Sequence, residues 1–183
     1  MYFDSLLLTK LTPETVAIKV GGECTCDKCA HGCNYGSGAL KKGEEKKIAK
    51  FLGIKGAKAL KKYFEDIERF NTKRLRPKLL RKGSNPHGRC IFFDANKGLC
   101  TINKVKPLQC KTSSGHAQGE QLHSWFILNH FVNTDDPESI RQYATYLKEN
   151  KTIPGGALLE LVPDKIKLRK TKKISTRKDL LLS

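Results

Sequence analysis

The sequence contains no long hydrophobic run and no recognisable leader segment. No apolar stretch approaches the roughly 18–20 residues that a membrane-spanning helix needs. Asp4 interrupts the apolar residues near the start, no basic segment precedes them, and no small-residue cleavage site follows them. These absences argue against a signal peptide. We therefore expect a cytoplasmic protein that makes no membrane contact.

Motifs of several enzyme classes are also missing. The chain has no Ser-His-Asp arrangement, phosphate-binding loop or dinucleotide fingerprint, and the segment Gly36-Ser37-Gly38 is too short to count as one. Hydrophobic residues make up 38% of the 183 positions, which permits only a modest core. A bound metal could therefore supply part of the folding free energy.

Seven cysteines are present, and they form two clusters. One cluster lies in a glycine-rich segment and the other follows much later, so the candidate metal ligands are Cys24, Cys26, Cys29 and Cys33, then Cys90, Cys100 and Cys110. A reducing compartment disfavours disulfides, and an odd number of cysteines fits a disulfide framework poorly. Thiols crowded in this way are typical of zinc sites and iron–sulfur clusters, both of which take four ligands.

Two arrangements of these ligands remain open. Four cysteines hold a single site, or all seven hold two metals or a multinuclear centre with a histidine as the eighth ligand. His31, His87 and His116 are the candidates for that ligand, whereas His123 and His130 flank an apolar run and are expected to be structural. Paired Cys-x-x-Cys spacing favours zinc, and short, all-cysteine, glycine-rich spacing favours an iron–sulfur cluster or iron. We place iron–sulfur or iron before zinc.

The pattern along the chain predicts an α+β fold. We expect a small, mostly helical single domain over residues 1–162, with short strands and a hairpin organised around a cysteine metal centre. A basic tail over 163–183 follows. The predicted helices are 44–52, 56–70 and 136–149, with a helical turn at 107–110. The predicted strands are 15–20 and 157–162, the segment 123–132 is a buried helix or strand, and a hairpin turn at 94–98 brings Cys90 and Cys100 together.

Positive charge is in large excess. The chain has 35 Lys and Arg against 18 Asp and Glu, a net charge of +17. The excess is concentrated in residues 41–82 and 165–178. Such a field attracts RNA or another polyanion. The alternative is an ordinary lysine-rich solvated surface, and the sequence identifies no protein partner.

The cysteine blocks resemble the CxxCxxCC cysteine-cluster family, the YkgJ-like zinc- or iron-chelating domain. The likeness covers about residues 24–115. Its matching positions are Cys26, Cys29 and Cys33, the segment Glu44–Gly53, and the block containing Cys90, Cys100, Pro107 and Cys110. The second block is the more specific, because its three cysteines and its proline all fall in place.

Three differences from the family pattern stand out. Gly32 occupies the place of the third cysteine of the first block, and Cys24, which lies outside the usual pattern, is a candidate to replace it. Lys106 stands where arginine usually precedes the proline, which keeps the charge but loses the planar fork. Ser113 and Ser114 replace an aromatic-proline ending.

The resemblance implies a metal or iron–sulfur binder of unassigned activity. One alternative is an RNA- or ribosome-associated factor with a structural metal. Another is a metal-dependent modifying enzyme, such as a protein lysine or RNA methylase, because one relative in flagellated bacteria methylates flagellin lysines. A reactive thiol would need a basic neighbour, and Lys28, His31, Lys106 and Lys111 adjoin cysteines in the sequence. No catalytic residue is assigned.

Overall fold

The computed structural model describes residues 7–22, 27–113 and 118–164, with the backbone alone at 27–29 and 57–59. The fold is α+β, as predicted, with 42% of the described residues in helices and 15% in strands. The helices are α1 Glu14–Gly21, α2 Asp27–Tyr35, α3 Glu44–Phe51, α4 Ala57–Tyr63, α5 Leu108–Thr112, α6 Gly119–His130, α7 Pro137–Tyr146 and α8 Leu158–Leu161. A short 3-10 helix spans Asn103–Val105.

Short strands pair two by two in the described part of the chain. They are β1 Phe64–Arg69, β2 Thr72–Pro77, β3 Leu79–Arg81, β4 Gly88–Cys90, β5 Phe93–Asp94 and β6 Leu99–Cys100. The pairs are β1 with β2, β3 with β4 and β5 with β6. Antiparallel register places Leu79 opposite Cys90, and Phe93 opposite Cys100. Two of the cysteines therefore end short strands.

None of the helices in the described ranges is long and apolar enough to cross a membrane. The described residues group into two compact units. One contains 7–13, 68–73 and 124–164, and the other contains 14–67 and 74–123. The predicted boundary between a domain ending at 162 and a basic tail stays a prediction, because residues 165–183 lie outside the described ranges.

The first unit is built around aromatic side chains. Phe70 packs edge-on against the rings of Tyr143 and Tyr146, with ring centroids 5.3 and 5.5 Å apart. The hydroxyl of Tyr143 donates a hydrogen bond to the carbonyl of Gly156 at 3.0 Å. The indole N–H of Trp125 donates to the carbonyl of Thr12 at 2.8 Å. The buried polar tips are therefore bonded, as burial of such groups requires.

The core of the second unit surrounds the cysteines. Its buried members are Leu40, Ile48, Phe64, Cys90, Phe92, Phe93 and Ile102, and Cys33 and Cys100 pack against them half-buried. Helix α3 contributes Ile48 to this core through its apolar face.

Asp94 stabilises the turn between β5 and β6. The Asp94 carboxylate accepts hydrogen bonds from the N–H groups of Asn96 and Lys97 at 3.0 and 3.2 Å. This turn confirms the hairpin predicted at 94–98.

Other predicted elements are also confirmed. The helix predicted at 44–52 is α3, and Gly53 follows it with a positive φ of 66°. The helical turn predicted at 107–110 is α5, directly after Pro107. The segment predicted at 123–132 as helix or strand falls largely in α6. The helix predicted from Asp136 is α7, where the Asp136 carboxylate accepts the N–H of Glu138 at 3.0 Å, although the helix ends at Tyr146 rather than near 149.

Three predicted elements are wrong. Residues 15–20 form helix α1 rather than a strand, because Gly21 packs against α5 so closely that a Cβ there would lie 2.5 Å from the Lys111 carbonyl oxygen. The predicted helix 56–70 ends at Tyr63, and the chain then forms strand β1 and turns back through Phe70 and Asn71 at positive φ. Tertiary contacts override local propensity at these positions.

The third error concerns the last strand, predicted at 157–162, where the chain forms helix α8 over Leu158–Leu161 instead. The Glu160 carboxylate accepts hydrogen bonds from the N–H groups of Gly155 and Ala157 at 3.1 and 2.9 Å. These bonds satisfy two donors at the start of the helix, which a helix terminus otherwise leaves unpaired. The apolar composition of the segment alone was therefore misleading.

A glutamate bound by two arginines in the second unit predicts a pH dependence of stability. Arg81 donates two hydrogen bonds to the Glu65 carboxylate, at 2.6 and 2.7 Å, and Arg76 donates a third at 2.8 Å. The hydrogen bonds from Arg81 are the largest of the influences that lower the pKa of Glu65 from 4.5 to about 2. Because the folded pKa lies below the ordinary value, this stabilisation is present above pH 4.5 and is lost as the pH falls toward 2.

We expect Glu65→Gln to lower the free energy of unfolding by about 1–3 kcal/mol at pH 7, and the difference from the wild type to shrink between pH 4.5 and 2. Denaturant unfolding at several pH values measures both effects. Glu68→Gln is the control, because the exposed Glu68 lies 3.9 Å from Lys73 and such pairs contribute about 0–1 kcal/mol. Equal losses in the two variants, or a constant difference across this pH range, would contradict the assignment.

Candidate metal centre

Four cysteines from four separate elements approach one another in the second unit. Cys33 lies in α2, Cys90 ends β4, Cys100 ends β6 and Cys110 lies in α5. Cys90 is buried, and the other three residues are half-buried. The two blocks of the sequence thus converge in space, although 56 residues of chain lie between Cys33 and Cys90.

The four cysteines line one cavity of about 460 Å³. Apolar walls come from Ala30, Phe92 and Ile102, and the polar groups on the lining include Gln109 and His123. Lys106 and Lys111 also line the cavity. A cavity of this volume is far larger than one water molecule, which occupies about 30 Å³ in the liquid.

Burial controls the protonation of the thiols in the absence of a metal. It raises the pKa of Cys90 to about 12, and it also raises the pKa values of Cys100 and Cys110. Negative charge on the other three sulfurs raises the pKa of Cys110 further. The four sulfurs therefore lie within one another's electrostatic field, and a cation among them would relieve that repulsion.

Backbone donors and a lysine favour the thiolate forms. Three sulfurs each accept a hydrogen bond from a backbone N–H group. The N–H of Phe92 donates to Cys90, that of Ile102 to Cys100 and that of Gly38 to Cys110. The positive charge of Lys106 also lowers the pKa of Cys100. In the first two pairs the donor lies two residues beyond the cysteine, so the local turn holds both sulfur and donor. Hydrogen bonds of this kind to ligand sulfurs are among the ways in which a protein tunes a metal–thiolate centre.

Glu44 positions the helix that carries Cys110. Its carboxylate accepts the N–H of Leu108, the first residue of α5, at 2.9 Å, and the N–H of Lys41 at 2.7 Å. Burial is the largest influence on Glu44 and raises its pKa, whereas these two hydrogen bonds and the charge of Lys111 lower it. Glu44 lies in the first turn of α3 and therefore also caps α5, whose first residue is 64 positions further along the chain.

Two further contacts fix α5 on its other sides. The Gln109 side chain accepts the N–H of Ala39 at 2.5 Å through its oxygen, and its amide nitrogen lies 3.4 Å from Nδ1 of His123. Gly38 passes so close to α5 that a Cβ at that position would lie 2.6 Å from Sγ of Cys110. The position of Cys110 is thus set by backbone proximity as well as by hydrogen bonds.

The remaining candidate ligands are placed differently. Cys24 and Cys26 lie outside the described residues, as does His116, and only the backbone of Cys29 is described, in α2. His31 and His87 are exposed and do not line the cavity. The sequence interpretation missed His123, which lines the cavity together with the thiols. Its place just before an apolar run within α6 gave no signal of this position.

The donor chemistry fits a soft metal. The candidate ligands in the described ranges are thiols, and none of the described residues that line the cavity is a carboxylate. Thiolates select zinc, copper(I) and iron–sulfur clusters over hard cations. Within the described ranges, no group of three His, Cys, Asp or Glu side chains is already arranged around a single ion position. The assignment of the seven cysteines as ligands stays a prediction.

Short helices and antiparallel strand pairs that bring four cysteines to one cavity define a cysteine-cluster protein. The model of the CxxCxxCC family, described as a "putative zinc- or iron-chelating domain", matches residues 25–142, which is more than half of the chain. The protein belongs to this family, which confirms the resemblance and supports metal binding. No curated protein and no solved structure matches it significantly.

Proposed function

We propose that the protein holds an iron–sulfur cluster or iron, with zinc as the alternative, through thiolates from both cysteine blocks. The observation that carries the proposal is the convergence of Cys33, Cys90, Cys100 and Cys110 on one cavity. Cys24, Cys26 and Cys29 are the further candidates from the first block. Zinc and iron–sulfur centres both take four cysteine ligands, so a single centre would leave some of the seven for positions nearby.

The chain itself would perform three tasks at such a centre. The strand ends and α5 supply sulfur atoms, and the neighbouring N–H groups stabilise their negative charge. Glu44 and Gln109 hold α5 in place. The apolar walls limit the access of water, which strengthens every electrostatic interaction inside the cavity. When bound, the group would supply electron transfer if it contains iron, or structural cross-linking if it is zinc.

Removing a thiol from the second block tests the proposal. We expect Cys100→Ala and Cys110→Ala each to lose most of the metal that the wild type retains after anaerobic purification, because both thiols line the cavity and belong to the proposed ligand set. Metal analysis and a visible absorption spectrum are the measurements. A broad absorption that bleaches on reduction identifies iron–sulfur, and a colourless protein with stoichiometric zinc identifies the alternative.

Ser113→Ala is the matched control, because Ser113 lines the same cavity without a thiol. It should retain metal at the wild-type level. A wild-type protein without stoichiometric metal would overturn the proposal. Cysteine variants that fold and retain full metal would remove Cys100 and Cys110 from the ligand set.

A further inference from the structure

The cavity offers more space than a metal centre held by the cysteines uses. Its volume of about 460 Å³ falls within the roughly 300–1,000 Å³ of small-molecule sites. The four cysteines occupy part of the lining, and the rest is formed by other side chains. A second occupant beside the metal centre is therefore sterically possible.

The lining away from the sulfurs combines apolar surface with a few polar groups. Phe93, Leu99 and Pro107 contribute apolar wall, and Asn103 contributes an amide. This composition is typical of pockets for organic ligands, in which apolar contacts supply affinity and a few polar groups fix orientation. A hydrated inorganic ion would gain nothing from the apolar wall.

Apart from the thiols, the charged side chains on the described lining are both lysines. Lys106 and Lys111 both line the cavity, and no Asp or Glu is among the described residues that do so. Lys111 interacts electrostatically with Glu44, which is not among the lining residues, and Lys106 interacts with Cys100. Positive charges beside apolar walls strengthen the local field, which attracts ligands of negative charge.

The two lysines are held at the two ends of one short segment. Lys106 follows the 3-10 helix and precedes Pro107, whose ring restricts the backbone at that point. Lys111 lies in the last turn of α5, whose first N–H group is bonded to Glu44. Because the backbone on both sides is fixed, little conformational entropy is lost when an anion binds, apart from that of the lysine side chains.

We infer that the cavity binds a small organic anion, with its carboxylate or phosphate group at Lys106 and Lys111 and its apolar body against the apolar wall. The inference rests on the proposed function, because the same cavity holds the thiols. It assigns the metal centre a small-molecule ligand as neighbour, which sets the protein apart from a purely structural metal domain.

Calorimetric titration with four one-ring probes tests the inference. The probes are phenyl phosphate, benzoate, benzyl alcohol and benzylamine, which share an aromatic body and differ in charge. We expect the two anions to bind and the neutral and cationic probes to bind at least about tenfold more weakly. The ratio between phenyl phosphate and benzoate distinguishes a phosphate ligand from a carboxylate ligand. Equal binding of all four probes, or binding of none, would overturn the inference.

The variant arm uses Lys106→Gln combined with Lys111→Gln. We expect about tenfold weaker binding of the anions and unchanged binding of benzyl alcohol. Lys148→Gln combined with Lys151→Gln removes the same charge from exposed positions of the other unit and should change neither. Unfolding midpoints establish that both proteins fold. If the lysine pair at the cavity proves necessary for folding, the selectivity among probes in the wild type decides the inference alone.

Metal analysis on the same samples separates the two proposals. A protein that retains metal but does not discriminate anions contradicts only the inference. A protein that binds the anions but retains no metal contradicts the proposed function and leaves the anion site standing. Because Lys106 lowers the pKa of Cys100, the metal content of the Lys106 and Lys111 variant is measured before its anion binding is compared with that of the wild type.

Discussion

Replacing Gly38 by alanine is expected to weaken metal retention by about 10–100-fold and to lower the free energy of unfolding by about 1–3 kcal/mol. A Cβ at this position would lie 2.6 Å from Sγ of Cys110 and 3.0 Å from its backbone nitrogen. A rotamer change of Cys110 would move its sulfur away from the present position and would leave the contact with the backbone nitrogen. Either α5 or the loop at Gly38 must move, and the position of the sulfur relative to the cavity changes in both cases.

The matched control is Gly36→Ala. Both glycines line the cavity, but a Cβ at position 36 would meet nothing nearer than the Gly32 carbonyl oxygen at 3.8 Å. This variant should keep its metal and its stability. Competition with a chelator measures metal retention, and denaturant unfolding measures stability. If the two variants lose metal equally, or neither loses any, the close approach at Gly38 does not position Cys110.

The second large effect is expected for Glu44→Ala. The carboxylate satisfies the N–H of Leu108 and the N–H of Lys41 in a half-buried position. Its removal leaves both donors unpaired, which costs about 1–3 kcal/mol for a buried donor. Because Leu108 begins the helix that carries Cys110, we also expect metal affinity to fall about tenfold or more.

Two comparisons separate this role from a general loss of charge on α3. Glu45→Ala removes the neighbouring carboxylate, which accepts only the N–H of Gly43 in an exposed position, and should have little effect. Glu44→Gln keeps one acceptor oxygen and should restore part of the stability and of the metal affinity. Metal titration and unfolding curves measure both. Identical behaviour of Glu44→Ala and Glu45→Ala would show that the cap on α5 is dispensable.

The second cysteine block could be predicted from the sequence because its signals are local. Asp94 and Gly98 specify a tight turn, and Pro107 starts a helix, so both Cys100 and Cys110 follow from short-range chemistry. Their approach to Cys33 could not be derived in this way. It depends on packing around Phe92 and Ile102 and on contacts between residues more than 50 positions apart.

The errors have the same origin. Residues 15–20 have the β-branched composition of a strand, yet Ala17 and Gly21 are buried with helical spacing against α5. The turn at Phe70 and Asn71 lacks glycine, and burial of the Phe70 ring between two tyrosines stabilises a backbone conformation that its side chain disfavours. The long-range roles of Glu44 and His123 left no trace in local spacing.

Two expectations from the sequence, the binding of a polyanion and the compartment, stay predictions. Binding of RNA or another polyanion through 41–82 and 165–178 stays a prediction, and the second of these segments lies outside the described residues. The compartment is likewise a prediction. Salt-sensitive association with RNA would be the direct measurement for the first.

The distribution of the thiols over distant elements has a consequence for biosynthesis. Cys33 leaves the ribosome well before Cys110, and at bacterial and eukaryotic elongation rates the interval is roughly 4–15 s. During that interval the first cysteine block has neither the backbone donors nor the walls that the later segments provide. The proposed centre, if it includes Cys110, would be completed only after residue 110 has emerged. Metal delivery and the protection of the early thiols from oxidation would then depend on the timing of translation.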